Sequence, residues 1–154
     1  METRSHSGHA DDGLVDRLAI QDLLVEYCAS LDRGDWAAYG QLFLPDGAFT
    51  ILGHTRRGPA EIAAGPARDH PRYAAVQHFS SNHSIVIEGD EADACHYVVA
   101  IHILDADRPD LHADIGGRYD CRCVRTDDGW RFASVDLTVL WTAGEPLEFA
   151  PEPD

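Results

Sequence analysis

The chain of 154 residues predicts an α+β fold, a strongly curved antiparallel sheet with N-terminal helices closing a cone-shaped pocket. Three observations carry this. Apolar residues recur at three- and four-residue spacing in the first third, the signature of amphipathic helices. The second half holds four long runs that alternate or stay apolar, the signature of strands. Gly- and Asp-rich dipeptides separate those runs, so consecutive strands are joined by turns and pair antiparallel. Helices followed by a strand meander segregate to one face of a sheet, and a curved sheet so covered leaves a concave pocket.

Each element has a local reason. Residues 1–12 are polar and are expected to be a disordered tail. Asp11 or Asp12 caps a helix with apolar positions at Leu14, Leu18, Leu24, Cys28 and Leu31, ended by Gly34. Asp35 caps a second, short helix, WAAYGQLF, stopped by the Pro45-Asp46-Gly47 turn. A strand AFTIL and a loop or hairpin over 54–58 follow. Pro59 opens a third helix at the position prolines favour, and Gly65-Pro66 is expected to interrupt it. Strands are expected over 76–88, 92–104, 111–125 and 130–142. The domain therefore spans 13–142, and 143–154 is an acidic, proline-rich tail.

A formal charge of -15 argues against nucleic acid, whose phosphates demand Lys and Arg, and against an anionic membrane surface. No apolar run approaches the roughly 20 residues needed to span a bilayer, and the first residues show no apolar signal core. A cytoplasmic, reduced protein is expected. Cys28, Cys95, Cys121 and Cys123 have no metal spacing; Cys121 and Cys123, two apart, share one face of a strand as small core residues.

The chemistry concentrates in VQHFSSNHSIVIE, residues 76–88. With a period of two, His78, Ser80 and Asn82 share one face. Buried polar groups need partners, and Asp32, at the end of the first helix, is the candidate. A carboxylate there faces the negative end of the helix dipole, an unfavourable place for a group kept only for stability. His96 and His102 share parity on CHYVVAIH and, roughly 20 Å apart, cannot ligate one metal together. No metal site is expected, and no dinucleotide, phosphate-loop or G-x-S-x-G motif suggests a cofactor. A carboxylate that orients an imidazole makes a general base near neutral pH, worth roughly 10² to 10⁴ in rate. Tyr27 or His102 is placed to donate to a leaving oxygen. His54, His70, His83 and His112 read as surface or structural residues.

The stretches DRLAIQDLLVEYCASLDRGDWAAYGQLFLPDGAF, VQHFSSNHSI, EADACHYVVAIH and GGRYDCRCVRTDDGWRF together resemble the SnoaL-like branch of the nuclear-transport-factor-two-like superfamily, over about residues 14–142. The nearest chemical relatives in that branch are scytalone dehydratase, hexachlorocyclohexane dehydrochlorinase and the bile-acid dehydratases. The resemblance implies an α+β cone with an apolar pocket, no cofactor, and an Asp–His dyad that removes a proton during elimination. By position the dyad falls on Asp32 and His78, with Tyr27 as pocket tyrosine and His102 as second-strand histidine. Asn82 matches an asparagine of the dehydrochlorinase, and a late-strand arginine of some relatives has only Arg118 or Arg122 to serve for it. Asn82, His96, Tyr119 and Trp141 are the expected substrate contacts, and a homotrimer or dimer packed through the sheet is expected.

The expected function is a cofactor-independent lyase, dehydratase-like, acting on an apolar cyclic small molecule such as a polyketide, steroid or aromatic metabolite. The alternatives are a polyketide cyclase or isomerase with the same base, a non-catalytic small-molecule binding module, and the small subunit of a multicomponent oxygenase.

Overall fold

A computed structural model describes residues 8–147, with side chains from residue 13. Helix α1 (Gly8–Arg33) leads into α2 (Trp36–Gln41), strand β1 (Phe43–Ile51), a short β2 (His54–Arg57), α3 (Gly58–Asp69) and one turn of 3₁₀ helix, His70–Arg72. Four long strands follow: β3 (Ala75–Glu88), β4 (Glu91–Ile103), β5 (His112–Thr126) and β6 (Gly129–Gly144). The sheet order is β2-β1-β6-β5-β4-β3, so β2 and β3 are its edges. The α+β class stands as expected. Within it the sheet is mixed: β1 runs parallel to β6, and every other pair is antiparallel. A parallel pair needs a long crossover, which α3 and the meander supply.

The core lies between α1 and the inner sheet face. Ile20, Leu23, Leu24, Tyr27, Cys28 and Leu31 form the buried stripe of α1, the three- and four-residue spacing of one helical face. Leu14 and Leu18, expected in that stripe, are exposed. At this end of α1 the inward positions are polar. Asp16 pairs with Arg125 and accepts from Trp130 Nε1 at 3.2 Å, and Arg17 donates to the Ile85 carbonyl at 2.9 Å. These contacts turn the neighbouring leucines outward. Cys121 and Cys123 are buried and free.

Several element boundaries differ from the sequence reading. Helix α1 begins at Gly8, inside the stretch expected to be disordered; residues 1–7 lie outside the described residues. Helix α3 runs through Gly65-Pro66 to Asp69 rather than breaking there. A proline deprives the helix of one hydrogen bond and can still be carried inside it when packing holds the turn. Here Gly65 leaves room for Arg56, whose guanidinium would lie 2.7 Å from a Cβ at that position. Strand β6 extends to Gly144 and Leu147 reaches the pocket, so part of the expected C-terminal tail belongs to the folded body; residues 148–154 are not described.

Strand β3 departs from a period of two. Its pairing with β4 shifts between Ser81 and Ser84, leaving Asn82 and His83 together opposite His96. Asn82 takes a positive φ of 55°, a conformation Asn tolerates better than most residues. This bulge turns Asn82 to the exposed side and brings His83 to the face of Ser80.

Candidate active site

Helix, strand and loop side chains converge on one cavity of about 100 Å³ bounded by α1, α2, α3 and the inner sheet face. His78 reaches it from β3, whose outer edge is unpaired because β3 ends the sheet. Edge strands leave N–H groups without a ladder partner. The His78 N–H is answered by Asp32 from the last turn of α1, at 3.0 Å to Oδ1 and 3.2 Å to Oδ2. The same carboxylate holds His78 Nδ1 at 2.7 Å. A carboxylate at the wrong end of a helix dipole is thus satisfied by donors from another element. An ionised carboxylate has only acceptors, so Nδ1 carries the hydrogen and Nε2 the lone pair. The His78 side chain is 6% exposed and that of Asp32 28%.

Tyr27 lies one turn earlier on α1, and the two side chains do not need to meet. Tyr27 points into the cavity, whereas Asp32 touches His78 at the sheet edge and does not line the cavity. Tyr27 accepts from the Tyr39 hydroxyl at 3.1 Å and packs edge-on against the Tyr119 ring, centroids 5.1 Å apart. All three tyrosines line the cavity. Burial pushes their hydroxyls well above the usual phenol range, so they remain donors at neutral pH. Tyr39 commits its hydrogen to Tyr27, which leaves the hydroxyl hydrogens of Tyr27 and Tyr119 for a ligand.

His102 lines the cavity and its Nδ1 sits 2.9 Å from the Ala113 carbonyl. Burial lowers its pKa, with His78 adding to the effect. A neutral ring with its hydrogen given to a carbonyl turns a bare Nε2 toward the cavity, an acceptor rather than a donor.

Other expected substrate contacts lie elsewhere. Asn82 is exposed on the bulge and outside the cavity lining. Trp141 is 46% exposed and packs its indole over Gly116 on the outer sheet face. It faces outward because the β5–β6 ladder shifts register between Gly116 and Gly117. His96 is fully buried behind Tyr119, their rings stacked at 5.0 Å and 22°. Its Nδ1 and His83 Nε2 both lie 2.7 Å from Ser80 Oγ. Burial, then His83, brings the pKa of His96 down to about 4. Arg118 and Arg122 face outward, paired with Asp120 and with Asp93 and Glu91; the cavity arginine is Arg56 of β2.

The sequence reading missed His70, Tyr39 and Arg56. His70 follows α3 and closes the cavity with its ring stacked on His78, centroids 6.1 Å apart at 19°. It was hidden because α3 was expected to end at Gly65. Tyr39 and Arg56 lie on elements too short to show a periodicity. Among the described residues, no group of three His, Cys, Asp or Glu side chains is arranged to hold a metal ion, and no helix is long and apolar enough to cross a membrane.

Comparison with known proteins agrees with this architecture. An uncharacterized protein of Mycobacterium tuberculosis, Rv2910c, is 29% identical over 120 residues, 77% of this chain and 81% of that protein. A putative scytalone dehydratase from Novosphingobium aromaticivorans superposes with a TM-score of 0.80 at 23% identity, covering 92% of this chain and 95% of that one. A hexachlorocyclohexane dehydrochlorinase of type 2 gives 0.75 at 23%, covering 91% and 96%. At these identities the structural likeness speaks for the fold. The sequence profile of the SnoaL-like domain matches residues 12–136, and the chain belongs to the SnoaL-like domain family.

Proposed function

We propose that this protein is a lyase that removes water from a small cyclic substrate, with His78 as general base. The observation that carries the reading is the Asp32 carboxylate on His78 Nδ1 at 2.7 Å, with the ring itself lining a cavity. Asp32 fixes the tautomer and stabilises the imidazolium that forms. His78 Nε2 takes a proton from a carbon made acidic by a neighbouring carbonyl; the electron pair forms the new double bond, and the C–O bond on the next carbon breaks. The leaving oxygen takes the hydroxyl hydrogen of Tyr27 or Tyr119 and departs as water. The imidazolium then returns its proton to the phenolate. In this assignment the phenols are the acid. His102 is not, since its hydrogen is held by Ala113. A cyclase or isomerase would use the same base and lose no water.

The structurally similar putative scytalone dehydratase and hexachlorocyclohexane dehydrochlorinase support an elimination. The cavity volume supports a small substrate. About 100 Å³ is of the order of an engineered cavity that admits benzene, so one ring fits more readily than a four-ring skeleton.

The test is a screen of cyclic β-hydroxy ketones by mass spectrometry for loss of water. For any compound turned over, Asp32→Asn is expected to lower kcat by roughly 10²-fold or more, and His78→Ala to abolish the His78-dependent rate. Turnover unchanged in His78→Ala refutes the assignment.

A further inference from the structure

We propose that His70 is a substrate-binding residue whose ring nitrogen accepts a hydrogen bond from a hydroxyl of the ligand, so that the substrate is a ring compound bearing a free O–H other than the one that leaves. This deepens the lyase reading and rests on it for the identity of the hydroxyl that leaves.

His70, His78 and His102 form a cluster with ring centroids 5.9–6.1 Å apart. Two of the rings give Nδ1 to an acceptor of the protein. His78 Nδ1 faces Asp32 at 2.7 Å and His102 Nδ1 faces the Ala113 carbonyl at 2.9 Å. In His70 the Leu31 carbonyl is the backbone acceptor that acts on the ring, and Nδ1 is buried without a hydrogen-bond partner. A neutral imidazole has one N–H; once that is committed, the other nitrogen is a bare lone pair.

Packing keeps His70 in this form. Its ring lies against Trp36, His78 and His102, at centroid distances of 5.4, 6.1 and 5.9 Å. Burial first, then the two neighbouring imidazoles, brings its pKa down to about 4. The histidine end of the cavity is therefore rich in acceptors at neutral pH, while the hydrogen to be donated comes from the phenols. A ligand without an O–H in this region leaves desolvated lone pairs unanswered, a loss of roughly ten- to a hundredfold in affinity per group. The base Nε2 is reserved for the C–H. A further hydroxyl on the ring then falls to His70, stacked beside His78, with His102 able to take another.

The experiment uses phenol and anisole, single rings that differ in having or lacking the O–H. Wild-type protein is expected to bind phenol about tenfold tighter than anisole, followed at millimolar concentration by protein NMR. Long-range ¹H–¹⁵N spectra of the histidine rings are expected to show the bare His70 nitrogen moving upfield with phenol and staying in place with anisole. His70→Phe keeps the ring and its stacking and is expected to cut the preference at least threefold. His70→Gln, which offers an amide oxygen, is expected to recover part of it. Equal binding of the two probes to wild type, or a His70 resonance that phenol does not move, overturns the proposal even if neither variant folds. Failure of the lyase reading has a different signature: the phenol preference and its dependence on His70 persist, but no hydroxylated ring compound is turned over in a His78-dependent way.

Discussion

His96 makes a quantitative prediction about acid stability. Its ring is buried and carries a pKa near 4 in the folded protein against an ordinary 6.5, a displacement of about 2.5 pH units. The unfolded chain therefore binds a proton that the native state refuses. Between these values the unfolded state holds more protons, so stability rises with pH; it is complete above 6.5 and is lost as pH falls toward 4. At about 1.4 kcal/mol per unit the loss is about 2 kcal/mol by pH 5 and about 3 kcal/mol by pH 4, a large part of the 5–15 kcal/mol typical of a domain. His70 contributes in the same window, so a single-protein titration would not isolate either group. The variant His96→Phe does. It keeps a ring on Tyr119, leaves Ser80 its bond to His83, and removes the titration while His70 is common to both proteins. Urea unfolding at pH 7.5 and pH 5, with equal m-values as the check on two-state behaviour, is expected to show wild type losing about 2 kcal/mol more than the variant. Parallel loss in the two proteins would refute the reasoning.

Three further outcomes follow from packing and surface. Gly40 brings α2 against α3, where a Cβ would lie 2.8 Å from the Pro59 carbonyl oxygen; Gly40→Ala is expected to cost about 1–3 kcal/mol in a thermal or urea melt. Asn82 holds its positive φ at the bulge, so Asn82→Val is expected to cost about 1–2 kcal/mol and Asn82→Gly almost nothing, measured the same way. On the outer sheet face Phe79, Val99, Gly116 and Trp141 lie in one cross-strand row, with Phe79 50% and Trp141 46% exposed. Association through this face predicts a dimer or trimer by light scattering that Phe79→Glu converts to monomer; a monomeric wild type removes the idea.

The residues that announced themselves did so because they were costly where they stood. A run of polar side chains inside an apolar strand, and an Asp at the unfavourable end of a helix, point to His78 and Asp32 from the sequence alone. Strand ends were legible because Gly89-Asp90 and Asp127-Asp128-Gly129 are chemically turns. What stayed hidden depends on tertiary contact. Nothing local marks Asn82 as an extra residue, since the surplus exists only relative to β4. Helix α3 survives Pro66 through packing that propensity does not weigh. Leu14 and Leu18 obey helical spacing and still face solvent, because Asp16 and Arg17 have partners on β5 and β3.

The surplus residue in β3 has an evolutionary consequence. His78 and Ser80 face inward before it, and His83, Ile85 and Ile87 after it, so the two halves of the strand are out of step by one position. Shortening the chain by a single residue there would restore a regular ladder and leave both inner faces where they are. Loss or gain of one amino acid at this point is thus nearly invisible to the pocket. Any comparison of relatives that forbids a gap inside this strand will match one half correctly and set the other half inside out.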